Sequence, residues 1–257
     1  MNTNFKIKRL SHWSIILSVV DNRKLNADEF SDIAEELFSE NKNREAIKFY
    51  LSSVLMKRIN PKAYKGLGIS YKCLKKFDKA IMYLEKAKEL TPFDYEIYRE
   101  LGICYLGEGK SSLAAQNLIK AIKLNPDDPA IQTELAFIHE FMQEPEMALM
   151  IYDKIIDENP DYQKAYIHKA ALLMQENDYI QAIETFKQIL KINPDYSRSY
   201  LGMGICFDKL SEKTKAKRYY QKYLSLNFES INSENVRNRL SELKKEMPLR
   251  QNFLKVV

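Results

Sequence analysis

The sequence predicts an all-α solenoid of six helix-turn-helix repeats with flanking N- and C-terminal helices. Three observations carry this expectation: a fixed period of 34 residues, two positions in every period that hold only small residues, and a proline near the end of most periods. Asn125-Pro126, Asn159-Pro160 and Asn193-Pro194 recur at that interval, with Thr91-Pro92 one interval earlier. Frames set at 27–60, 61–94, 95–128, 129–162, 163–196 and 197–230 follow one another without insertion.

Within each frame the spacing predicts two antiparallel helices. Position 20 is alanine throughout (Ala46, Ala80, Ala114, Ala148, Ala182, Ala216), and position 8 is Ala34, Gly68, Gly102, Ala136, Ala170 and Gly204. Two helices approach closely only where the facing side chain is small, so these positions are expected at the crossing of each pair. Larger residues flank the holes. Position 4 is mostly aromatic (Phe30, Tyr64, Tyr98, Tyr166, Tyr200), and position 24 carries Tyr50, Leu84, Leu118, Tyr152, Phe186 and Tyr220. The proline at position 32 lacks a donor and restrains the residue before it, so it is expected to end the second helix.

Spacing and residue types resemble the tetratricopeptide repeat, and the match spans residues 27–228. The resemblance implies a right-handed superhelix and a scaffold that binds other proteins, on a fold that serves many unrelated pathways. Frame one has Arg58 in place of the proline, with Asn60-Pro61 downstream, and the last has Phe228. Frame four has Gln132 at the aromatic position and Pro145 at the turn, and frame five places Lys169 where the others have Ile33, Leu67, Leu101, Leu135 or Met203.

A solenoid needs ends that cover the apolar faces of its terminal repeats. Downstream, residues 231–247 are expected to form a capping helix with Ser233 as its cap, Val236, Leu240, Leu243 and Met247 at helical spacing, Pro248 ending it and 248–257 a flexible tail. Upstream, in the segment 1–26, Leu10, Trp13, Leu17 and Val20 suggest an amphipathic helix covering the first repeat. Lys6, Lys8 and Arg9 ahead of the apolar stretch from Trp13 to Val20 resemble the start of a signal peptide. The stretch is short, however, and runs into Asp21-Asn22-Arg23-Lys24 rather than a small-residue cleavage site. It also falls short of the roughly 20 residues a membrane span needs. Three dispersed cysteines, Cys73, Cys104 and Cys206, fit a reducing compartment, so a cytoplasmic location is expected.

No catalytic constellation is visible: no Gly-rich phosphate loop, HExxH pair or nucleophile elbow occurs. A non-catalytic role without cofactor or metal is therefore expected. His139 falls at position 11, where other frames carry Leu, Tyr or Phe, and reads as a packing residue; His12 and His168 have no companions. Cys104 and Cys206 share position 10 and read as small buried hydrophobes.

In the resembled family the first helices line a concave surface into which positions 2, 5, 6, 9, 12 and 13 point. Position 9 here holds Glu35, Ile69, Ile103, Phe137, Ala171 and Ile205. Phe141 adds to this at position 13, and Phe38, Leu106 and Met174 at position 12. Such an apolar stripe suggests a docking groove for a protein or peptide client, possible roles including an assembly or secretion chaperone. The same residues could instead pack partly on neighbouring helices. Asp28, Asp32 and Glu35 precede Lys62, Lys65, Lys72 and Arg99, so the groove wall is expected to change sign and orient the client. The Lys-Asn set with which some family members clamp a chaperone tail is not matched, since position 9 carries no asparagine.

The alternative is nucleic-acid or anionic-surface binding. Residues 197–257 hold 13 Lys/Arg against 6 Asp/Glu, a net +7, and Lys213, Lys215, Lys217, Arg218 and Lys222 cluster in one predicted helix. A solvated helix face is the simpler account of such a run.

Overall fold

The computed structural model describes residues 25–226 and 232–246, in two compact units that meet in sequence at Ile131 and Gln132. The expected N-terminal helix, Phe228, Met247, Pro248 and the tail lie outside the described residues. Among those described there are thirteen helices and no strand, and the fold class is that of an all-α repeat solenoid. No helix among them is long and apolar enough to cross a membrane.

The first unit contains α1 (Ala27–Ser39), α2 (Asn43–Met56), α3 (Pro61–Cys73), α4 (Phe77–Leu90), α5 (Tyr95–Gly107) and α6 (Ser111–Leu124). Each packs on the next along the chain, and α1 and α3 also touch, as do α3 and α5. α7 (Pro129–Phe141) lies mainly in the second unit, followed by α8 (Pro145–Glu158), α9 (Gln163–Gln175), α10 (Tyr179–Ile192), α11 (Ser197–Lys209), α12 (Lys213–Leu226) and α13 (Ser233–Glu246). There α8 through α13 pack in succession.

The close crossing expected from the small positions is present. All six alanines at position 20 are fully buried. At position 8, a Cβ added to Gly68 would come within 2.4 Å of Leu84, and one added to Gly204 within 2.6 Å of Tyr220. Real Cβ atoms do not come that close, so larger residues there would push the two helices of the pair apart.

The turn between the helices of each pair has a feature the residue types do not announce. Position 15 is left-handed in every frame: Asn41, Lys75, Gly109, Gln143, Asn177 and Ser211 have φ between 56° and 73°. Paired hydrogen bonds enforce it. Lys76 N–H donates to the Tyr71 carbonyl at 3.0 Å and Lys75 N–H to that of Lys72 at 2.8 Å, and Glu144 and Gln143 repeat the pattern onto His139 and Glu140. These bonds satisfy carbonyls that a helix end leaves unpaired, as in a Schellman turn.

Second helices end at position 30 in the five frames whose helix end lies among the described residues. Where proline follows, at Thr91, Asn125, Asn159 and Asn193, the residue after the helix leaves the helical region, with φ between −139° and −136° and ψ between 74° and 93°. Yet α2 ends at the same place although Arg58 replaces the proline, so proline is not required. A buried polar knot stands there instead. Asn60 donates to Ser53 Oγ at 2.8 Å and to Ser31 Oγ at 3.3 Å, while its Oδ1 accepts the Ala63 N–H and so caps α3. Ser53 in turn donates to the Ala27 carbonyl at 2.6 Å.

The sequence exceptions are compensated locally. Lys169, at an otherwise apolar position, forms an ion pair with Asp153 of α8. Tyrosines at position 4 do more than fill space: Tyr98 donates to the Pro92 carbonyl at 3.0 Å and Tyr200 to the Pro194 carbonyl at 2.9 Å, tying first helices to the preceding turns.

α13 covers the last pair with Val236, Leu240 and Leu243. Ser233 is its first helical residue and is buried, whereas a cap residue would stand one place earlier. The helix is also held by Arg239, whose Nε and Nη2 donate to the two oxygens of Asp208 at 2.7 and 2.9 Å. That hydrogen bonding, with the guanidinium charge, holds the Asp208 carboxyl below its ordinary value despite partial burial.

Two outcomes are expected. A left-handed non-glycine residue costs roughly 1 kcal/mol, so Gln143→Gly should raise and Gly109→Ala should lower the melting temperature by about 2–4 °C each. Thermal scans by circular dichroism check both. Because the Asp208 pKa is lowered, its contribution to stability is present above the unfolded carboxylate range and is lost as pH falls through the folded value. The stability gap between wild type and Arg239→Ala should therefore be full at neutral pH and shrink below about pH 4, as read by denaturant titration at each pH.

Candidate functional site

In the first unit the apolar residues Ile69 on α3 and Ile103 and Leu106 on α5 are half-buried. They are partly packed and offer edges rather than whole side chains. The charged residues around them pair with one another, which corrects the expectation of a wall whose sign changes. Lys62 donates to Asp32 at 2.8 Å and lies 3.0 Å from Glu35. Lys65 contacts Asp94 at 2.9 Å and Glu96 at 2.6 Å, and Lys72 pairs with Glu100. Each lysine thus reaches from one pair of helices to a neighbouring one. Burial works to lower the Lys65 pKa, but the hydrogen bonds that its ammonium donates to Glu96 and Asp94 outweigh it and hold the value above that of an ordinary lysine. Arg99 is half-buried beside them.

Position 6 is also reassigned. In the first unit a Cβ on Gly66 would lie 2.2 Å from the Tyr50 ring, and in the second a Cβ on Gly202 would lie 2.2 Å from Phe186. His168 occupies the same position in its frame and stacks on Tyr152 at 5.9 Å between ring centroids. The aromatic residue at position 24 therefore packs against position 6 of the next pair, and that position is structural in these frames. Gly107, at position 13, is likewise closed off, since a Cβ there would meet Phe77 at 2.6 Å.

The second unit presents the more open apolar face. On α7, Phe137 is 46% and Phe141 59% exposed, one helical turn apart and hence on the same side of the helix. Met174 on α9 and Ile205 on α11 are half-buried and pack against the core formed by α9 to α13. His139, between the two phenylalanines in sequence, is half-buried and hydrogen-bonds through Nδ1 to Glu144 at 2.7 Å.

Cys104 and Cys206 are fully buried, and desolvation raises their thiols to about 12 and about 11 respectively. Cys73 is exposed. Among the described residues, no group of three or more His, Cys, Asp and Glu side chains converges on a common point.

The basic run on α12 does not act as one face. Lys215 lies over the Phe207 ring at 5.2 Å and is 2.6 Å from Glu212, and Lys217 is half-buried. Arg218 and Lys222 instead line a cleft of about 680 Å³ shared with α10 and α11, together with Lys187 and Lys191. Those two lysines were not singled out from the sequence, because they lie some 30 residues earlier; the available signal was their position on the second helix of the preceding frame.

A model of the tetratricopeptide repeat matches residues 61–94 and 95–128, and two others of the same repeat match 142–200 and 198–227. No curated protein sequence matches the chain. Among solved structures, pilF of Pseudomonas aeruginosa superposes with a TM-score of 0.65 at 15% identity, over 83% of this chain and 97% of its own. A tetratricopeptide repeat protein from Parabacteroides merdae gives a TM-score of 0.65 at 17% identity, over 91% of each chain. YrrB, a TPR protein with an unusual peptide-binding site, gives 0.56 at 14% identity, over 74% of this chain and 97% of its own. At these identities the likeness is one of fold.

Proposed function

The chain belongs to the tetratricopeptide repeat family, whose members are generally non-catalytic protein-interaction scaffolds, and from that premise we propose that it binds an apolar peptide segment of a client protein on its first helices. The observation that carries this reading is the exposure of Phe137 and Phe141 on one side of α7. Aromatic side chains standing out of a repeat that has no need to bury them suit anchors for an extended or helical ligand. Met174 and Ile205 would widen the contact in the second unit, while Ile69, Ile103 and Leu106 would form a separate apolar strip in the first. The ion pairs of Lys62, Lys65 and Lys72 leave less net charge for orienting the client than the residue types suggest. Selectivity would then rest mainly on shape and apolar contact. A narrower form of the reading is an assembly or secretion chaperone that keeps an apolar client segment in solution.

The test uses Phe137→Asp/Phe141→Asp, because both side chains are exposed and the change should leave helicity intact. Proteins captured from native lysate by wild type and by the variant would be compared, after circular dichroism shows equal folding. The expected result is a client retained by wild type and reduced about tenfold or more on the variant, consistent with loss of two anchors worth about 1 kcal/mol each. Equal recovery on both would overturn the assignment of this face. A single dominant client would support the chaperone form.

A further inference from the structure

We propose that the cleft between α10, α11 and α12 is a second binding site, which takes an acidic peptide segment of a partner protein. Its walls hold Lys187, Lys191, Arg218 and Lys222, and no acidic residue lines it. Lys187 is held by Glu184 at 2.5 Å, but Lys191 and Arg218 have no carboxylate partner among the described residues. This contrasts with the first helices of the first unit, where lysine after lysine is neutralised by a neighbouring repeat. Arg218 and Lys222 stand one turn apart on α12, as do Lys187 and Lys191 on α10, so each helix offers a pair of cations on one side. Cations left together at the rim of a concave, partly apolar site favour a ligand that brings carboxylates of its own.

The floor decides which kind of anion. Tyr200, Tyr219 and Leu190 supply apolar surface. The Tyr219 ring is stacked on Phe207 at 5.2 Å and on Tyr200 at 6.5 Å, and Lys222 sits over Tyr200 at 5.7 Å. Single-stranded nucleic acid binds through bases stacked on open aromatic faces, and these rings already carry partners. An acidic peptide needs no free ring face. Its carboxylates meet the lysines and arginine, while an aliphatic side chain rests on ring edges and Leu190. At about 680 Å³ the cleft is of ligand-site size, fitting a short run of residues and not a duplex. The site is built largely from second helices and goes beyond the apolar face of Phe137 and Phe141.

The test is fluorescence anisotropy of the intact protein with a fluorescein-labelled Glu-Asp-Leu-Glu-Asp-Leu peptide at about 0.1 M salt, where charges beyond ~10 Å are screened. A poly-dT strand of matched charge is measured in parallel. Arg218→Glu/Lys222→Glu reverses two exposed cations of the cleft, and Lys154→Glu/Lys164→Glu makes the same change in charge elsewhere in the second unit. Circular dichroism confirms that all forms are folded. The expected result is saturable peptide binding, weakened about tenfold or more by the cleft variant and little by the other, since each lost ionic hydrogen bond contributes substantially. Phe137→Asp/Phe141→Asp should leave it unchanged, which separates this site from the apolar face. Absence of saturable binding, equal weakening by both charge variants, or tighter binding of the poly-dT strand would each overturn the proposal.

Discussion

The governing constraint is steric: the two helices of each pair approach closely at position 8 opposite position 24. Where a Cβ on Gly68 would stand 2.4 Å from Leu84, no larger residue can be tolerated without separating the pair. Separation would expose the buried alanines at position 20 and remove the shelf on which the next pair packs. Because the same crossing recurs with each frame, local steric fit is propagated along the chain without long-range instruction.

Two further devices turn a string of pairs into a repeat with fixed geometry. The left-handed residue at position 15 reverses the chain within the turn, held by hydrogen bonds to carbonyls that would otherwise go unpaired. The aromatic residue at position 24 reaches beyond its own pair, as Tyr50 does to Gly66, Tyr152 to His168 and Phe186 to Gly202. Side chains that face both their own partner helix and the next pair make neighbouring repeats cooperative. At the first junction, Asn60, Ser31 and Ser53 do comparable work with buried hydrogen bonds in a frame that lacks the usual proline.

These packing demands sort the surface into parts that are used up and parts that remain available. Position 6 in several frames and Lys62, Lys65 and Lys72 of the first unit are engaged in holding repeats to one another. Phe137 and Phe141 are not, nor are the cations of the cleft, so two chemically different faces remain: one aromatic, one basic. A scaffold with both could hold a client through an apolar segment and sense an acidic one separately.

The period, the pairing of helices, the buried alanines and the apolar stripe of Val236, Leu240 and Leu243 are legible in the order of residues alone. Steric contact at a helix crossing permits very few residue types, and a restriction repeated every 34 residues is visible without coordinates. The resemblance to the repeat family also marked Phe137 and Phe141 as groove candidates. Packing between repeats was needed to see that Lys62, Lys65 and Lys72 are paired across repeats, that position 6 is packed in several frames, and that Lys187 and Lys191 join Arg218 and Lys222. Those outcomes depend on which side chains meet between successive pairs, a distance of about one period in sequence. Charged and aromatic residues can satisfy that geometry in several ways, so their identity alone does not reveal their partners.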